Sequence, residues 1–271
     1  MLEGPPAGSL RYFAVLFAPP ERRGLLEALY AFEATVREAV HSPAHEAAHA
    51  RLQWWRGELD RWLAGKPQHP ITVALAPLIP YAMQDATLLH EVLTAADLDL
   101  AHMTYVTQRE LDAYLFRAAG ALQTLAARAL AGREISPAER DFTRRLGSAV
   151  RQVEMIRELE SDVRDGRLYV PLDDLETAGV NPAEISARLD SAELLSLVNG
   201  WMVRIDHELQ ALPGILTPDE RRSQRSGLVL GALHAKLLAS LRHRRPVERQ
   251  AAQLPPLQRL WTAWRAAVRY S

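Results

Sequence analysis

Along this chain the apolar positions are filled mainly by Ala and Leu at helical spacing, while runs of Val, Ile, Thr and aromatics with period two are nearly absent. A sequence patterned this way cannot line the face of a sheet, so it must bury helix against helix. Proline supplies the punctuation. Pro19-Pro20 opens a helix through Val40, Ser42-Pro43 opens another that stops at Gly65-Lys66-Pro67, and Pro70 begins a third. Beyond Pro80 the pattern predicts helices over 85–95, 108–131 and 136–164, the last closed by Gly166. Short segments start at Pro171 and Pro182, and helices follow over 192–212, 218–244 and 257–268. No repeat, low-complexity tract or long Pro- or Gly-rich linker divides the 271 residues, so one all-α domain over 1–271 is expected.

Charge and composition remove several function classes. Lys plus Arg total 32 and Asp plus Glu 33, a formal charge of -1, so no net positive field draws the chain onto nucleic acid. With Cys 0 there is no disulfide, thiolate nucleophile or iron–sulfur ligation, and any metal must sit on Asp, Glu or His. No apolar run reaches the roughly 18 residues of a membrane span, and the N-terminus lacks a basic region followed by an apolar one. A cytoplasmic protein is the expectation. One late stretch is locally basic: Arg221, Arg222, Arg225, Lys236, Arg242, Arg244, Arg245 and Arg249. It reads either as a solvated helix face or as a surface for anionic lipid or a diphosphate.

The most informative segment is 152–171, at the end of the longest predicted helix. Glu154, Glu158 and Asp162 recur every four residues and stack three carboxylates on one face. Like charges at that spacing repel unless cations offset them. Intrahelical pairing with Arg151, Arg157 or Arg164 would do so, and so would a hard cation such as magnesium shared with substrate phosphates.

Glu158-x-x-x-Asp162, followed by Asp165-Gly166-Arg167-Leu168-Tyr169-Val170-Pro171, resembles the second aspartate-rich motif of the squalene and phytoene synthase family. Upstream, Tyr30-Ala31-Phe32, Leu52-Gln53-Trp54-Trp55-Arg56 and Gly65-Lys66-Pro67-Gln68-His69-Pro70 are similar to that family's framework in order and spacing, and the likeness runs over about 9–264. The resemblance implies an all-α isoprenoid synthase fold, a single helical domain around a central cavity. It also implies a magnesium-dependent prenyltransferase of squalene- or carotenoid-type isoprenoid biosynthesis, acting on farnesyl or geranylgeranyl diphosphate. In such a site Glu158 and Asp162 would be the catalytic pair, and Glu154, Glu158 and Asp162 would hold the metal. Arg37, Tyr114, Arg167 and Tyr169 would bind substrate. Peripheral attachment to a membrane would suit lipid ligands.

The first aspartate-rich motif departs from the family pattern. After Tyr30-Ala31-Phe32 the pattern's arginine is Ala34, and two of its metal-binding aspartates are Arg37 and His41; only Glu38 stays acidic. In the second motif the pattern's asparagine is Glu154 and its first aspartate is Glu158. An Arg in place of a metal-bound carboxylate reverses the local charge, worth several kcal/mol at about 4 Å even with an effective dielectric near 20. Two readings follow: retained prenyl-diphosphate chemistry, or a non-catalytic protein that keeps the fold for binding or assembly. The stretches Val36 to Pro43 and Arg51 to Arg56 are similar to a synthase-like branch that includes a respiratory complex I assembly factor, which would act on a protein partner.

Two other constellations compete. His45-Glu46-Ala47-Ala48-His49 matches the zinc-hydrolase pattern, with Glu58 or His69 as the nearest sources of a third ligand. Trp54, Trp55, Trp62, Trp201, Trp261 and Trp264 read as core packing, with contact to an isoprenoid chain as the alternative.

Overall fold

Proline at the first helical position recurs through the chain because its missing N–H and fixed φ suit a helix start. In the computed structural model, which describes residues 4–42 and 44–270 and only the backbone of 79–85, it opens six of the fourteen α-helices among the described residues. In order these are α1 (Leu10–Leu16), α2 (Pro20–Val40), α3 (His45–Leu63), α4 (Pro70–Ala74), α5 (Ala82–Leu100), α6 (Gln108–Leu115) and α7 (Ala121–Ala131). Then come α8 (Pro137–Arg164), α9 (Leu172–Thr177), α10 (Ala192–Ala211), α11 (Pro218–Ser223), α12 (Arg225–Leu241), α13 (Pro246–Arg249) and α14 (Pro256–Arg269). No strand occurs among the described residues. Pro43, read above as a helix opener, lies outside them.

Two predicted helices are divided, each by a tertiary contact. The 108–131 helix contains a π-helical turn over Phe116–Gly120 between α6 and α7. There α8 crosses so closely that a Cβ on Gly147 would lie 2.6 Å from Gly120 Cα and 2.7 Å from the Ala119 carbonyl. The extra residue in the turn accommodates that crossing. The 218–244 helix breaks at Gln224, whose buried amide donates to Ala127 O at 3.3 Å and to Glu139 Oε1 at 3.0 Å. Glu139 is itself fully buried and closes the capping box of α8 with Ser136.

The interior divides into two main apolar clusters. One joins α2, α3, α5 and α7 around Phe32, Trp55 and Trp62, with the Phe32 and Trp55 rings edge to face at 5.0 Å. The other joins α8, α10 and α12 around Phe142, Leu146, Trp201 and Leu230. A groove-shaped cavity of about 870 Å³ opens between the N-terminal segment, α2, α8 and α12, and a separate void bounded by Tyr30, Gln123, Phe142 and Leu146 measures about 10 Å³.

Candidate functional site

Helix α8 carries the acidic stripe and brings its first carboxylate, Glu154, to the groove. Glu154, Glu158 and Asp162 lie on successive turns, and Glu154 and Asp162 are buried. Burying a carboxylate is expensive unless it is paired. The sequence meets that demand with arginines from other helices. Arg11 of α1 forks Glu33 of α2 at 2.6 and 2.7 Å and donates to Glu154 Oε1 at 2.7 Å. Arg37 of α2 donates to Glu154 Oε2 at 2.7 Å and to Glu158 Oε2 at 3.1 Å. Arg157 holds the other Glu158 oxygen at 2.7 Å, and Arg151 approaches Glu158 at 3.5 Å. Burial pushes Glu154 up, but Arg11 and Arg37 outweigh it and hold the carboxyl well below its usual range. Glu158 is lowered in the same way, Arg37 and Arg151 overcoming its burial.

A second layer lies one turn on. Tyr114 and Tyr169 stack with centroids 5.5 Å apart, and both hydroxyls donate to Asp99 Oδ1 at 2.8 Å. Arg151 sits over the Tyr169 ring at 5.4 Å and donates to the Tyr114 hydroxyl at 3.4 Å. Arg167 reaches His41 Nδ1 at 3.2 Å and Asp165 at 2.9 Å, with its Nε 3.5 Å from Asp162 Oδ1. Burial lowers the His41 pKa, and the charges of Arg167 and Arg37 lower it further. Helix packing therefore brings all seven sequence-predicted residues to one end of the bundle. Four partners were missed from sequence: Arg11, Glu33, Asp99 and the cross-helix role of Arg151. Arg11 and Glu33 sit 22 residues apart, on different helices, so no periodicity links them.

Magnesium would need free carboxylate oxygens converging on one point. Here both oxygens of Glu154 and both of Glu158 accept from guanidinium groups. Among the described residues no group of three or more His, Asp or Glu is placed to hold a metal. The stripe does not fit the ion. Arg157 pairs with Glu158 and Arg164 with Glu160, and Arg151 makes the intrahelical pair with Glu154 at 3.8 Å, to which Arg11 and Arg37 add closer pairing across helices.

The zinc pattern also lacks a ligand set. His45 and His49 meet, Nε2 to Nε2, at 3.1 Å on an exposed turn. Glu58, the nearest third ligand considered, is fully buried and accepts from Gln68 N and His69 N at 2.8 Å, from Thr72 and from Arg61. Those bonds pull its pKa down to about 2 against the effect of burial. His69 accepts from Ile71 N as the cap of α4. The tryptophans divide: Trp55, Trp62 and Trp201 are core, while Trp54, Trp261 and Trp264 are exposed. The late basic stretch is broken up by pairing of Arg222 with Asp219, Arg242 with Asp206 and Arg245 with Asp190.

Asp162 keeps one buried oxygen, Oδ2, without a hydrogen-bond partner. Burial raises its pKa from 3.8 to about 6, only partly countered by Arg151. The folded chain thus holds this proton more tightly than the unfolded chain. Stability is lost as pH rises from about 4 to about 6, and stays lost above. Asp162→Asn is expected to abolish that slope. The shift corresponds to about 3 kcal/mol, part of which returns as a penalty when Arg167 loses its counter-charge, leaving a gain of about 1–2 kcal/mol at pH 7. Urea midpoints measured between pH 4 and 8 for both proteins check this; an unchanged slope would contradict it.

The model of one family, described as squalene/phytoene synthase, matches residues 6–260. The chain is similar to phytoene synthase 3, chloroplastic, of Zea mays, 29% identical over 202 residues that cover 71% of this chain and 46% of that protein. It is also similar to 15-cis-phytoene synthase of Synechocystis sp., 29% identical over 207 residues covering 72% and 61%. The chain thus matches about half to three-fifths of these relatives' lengths. Its fold is that of a dehydrosqualene synthase crystallised with ligand, at TM-score 0.76 and 17% identity over 96% of this chain and 90% of that one. It is likewise that of squalene synthase HpnC from Alicyclobacillus acidocaldarius, at TM-score 0.68 and 23% identity over 85% and 86%.

Proposed function

Since the chain belongs to the squalene/phytoene synthase family, we propose that it is a member that binds a prenyl diphosphate without ionising it. The observation that carries this reading is the occupation of Glu154 by Arg11 and Arg37, which puts guanidinium charge where the family resemblance calls for metal.

The groove suits an amphiphilic anion. Arg11, Arg37, Arg157 and Arg259 line it together with apolar Ile71 and Leu254. Its volume of about 870 Å³ is within the range of small-ligand sites. In this reading the arginines take the diphosphate as fixed charges and the prenyl chain lies along the apolar wall.

The test is a calorimetric titration with farnesyl and geranylgeranyl diphosphate in magnesium and in EDTA, with diphosphate release followed in the same samples. Affinity is expected to be equal within about twofold in the two buffers, with no release. Magnesium-dependent release would make the chain a transferase. No binding of either compound would leave the fold as an assembly scaffold for a protein partner.

A further inference from the structure

Helix α14 is amphipathic in the inverted sense. Its small residues Ala263, Ala266 and Ala267 pack inward on Val229 and Leu233 of α12 and Phe13 of α1. Its large apolar residues face out: Leu257 is 82% exposed, Trp261 57% and Val268 55%, with Leu260 and Trp264 nearly half exposed. At 3.6 residues per turn these five fall within a sector of about 100°. The Trp261 and Trp264 rings stack at 5.0 Å, making the stripe continuous. No helix among the described residues is long and apolar enough to cross a membrane, so this stripe can only lie along a surface.

Cations flank the stripe on one side. Lys236, Arg265 and Arg269 line the groove of about 1320 Å³ that Trp261, Trp264 and Val268 border. Among the described residues no carboxylate pairs with any of these three, although most other arginines of the late basic stretch are paired or buried. A second copy docking through α14 would offer these cations no carboxylate from that helix, since α14 carries no Asp or Glu. An anionic lipid leaflet offers phosphate to the cations and an acyl boundary to the tryptophans.

We propose that α14 is a membrane-docking helix, laying Leu257, Leu260, Trp261, Trp264 and Val268 into the boundary of an anionic leaflet while Lys236, Arg265 and Arg269 contact its phosphates. This stands independently of the reading of the α8 groove. Binding draws on both apolar insertion and charge, so each half is separately removable.

The test is co-sedimentation of the full chain with phosphatidylcholine vesicles, with and without phosphatidylglycerol. Binding is expected only with phosphatidylglycerol, with a blue shift of tryptophan emission and weakening in high salt. Trp261→Ser with Trp264→Ser is expected to lower partitioning at least about tenfold, and Arg265→Glu with Arg269→Glu at least about twentyfold, at roughly fivefold per lost cation. The altered side chains are exposed, so helical circular dichroism should not change. No partitioning, or partitioning indifferent to both pairs of substitutions, would overturn the proposal. So would a concentration-dependent dimer that the tryptophan substitutions abolish, which would give the stripe to a second copy.

Discussion

Urea unfolding of Glu154→Ala is expected at a midpoint lowered by the equivalent of about 3–5 kcal/mol. Glu154 is buried and is the shared acceptor of Arg11 and Arg37, with His234 Nε2 at 3.9 Å. Its removal leaves Arg11 with Glu33 alone and Arg37 with the more distant Glu158. Uncompensated charge in a partly buried site is what makes breaking such a pair costly, whatever the intact pair contributes. The control is Glu160→Ala, which breaks an (i, i+4) pair with the exposed Arg164 on the same helix and should alter stability by no more than about 0.5 kcal/mol. Similar losses in the two variants would show that the cross-helix network contributes nothing beyond an ordinary surface pair. Because the folded pKa of Glu154 is depressed, its contribution is present above the usual carboxylate range and is lost as pH falls below it.

Gly147→Val is expected to destabilise by about 3 kcal/mol, measured the same way. The contact it disturbs is backbone on backbone: the new Cβ meets Gly120 Cα and the Ala119 carbonyl at 2.6–2.7 Å, and neither can swing aside as a side chain would. The π-turn of 116–120 would have to move, carrying Tyr114 away from Asp99. Gly200→Ala supplies the contrast. In α10 a Cβ there meets nothing within 4 Å, so the substitution should stabilise by about 0.5–1 kcal/mol through helix propensity alone. A Gly147 variant that behaved like the Gly200 one would mean that the crossing of α8 over the π-turn is not tightly fixed.

Helix starts were legible because proline and serine caps act within a few residues of themselves. Ser136-Pro137 with Glu139 predicts the start of α8, and the structure adds only that Gln224, 85 residues away, binds the same carboxylate. The interruptions at 116–120 and 224 were not legible, since each depends on what a distant helix presses against it. The stripe on α8 followed from spacing alone, and Arg37 was noticed because it departs from the family pattern. That the stripe is answered by arginines rather than by a metal was hidden: Arg11 and Glu154 are 143 residues apart and nothing local couples them. Among the tryptophans, Trp261 and Trp264 read as core by composition, while their helix turns alanines inward and leaves them outside.

The sharing of Glu154 between two arginines also works as a ratchet. Arg37→Asp, the single step back toward the family's first motif, would place a third carboxylate beside Glu154 and Glu158 while deleting a cation that serves both. Glu154→Asn, the matching step in the second motif, would leave Arg37 with Glu158 and Arg11 with Glu33 as the remaining counter-charges. Either reversal alone lowers stability; Arg37→Asp makes the site two units more negative, and adding Glu154→Asn cuts that excess to one unit and removes a facing carboxylate. Double-mutant cycles over positions 37 and 154 should therefore show strong positive coupling, with the pair less damaging than the sum of its parts. In the proposed reading, a chain with guanidinium in the place of metal is held there by its own packing, because each single step back passes through a less stable intermediate.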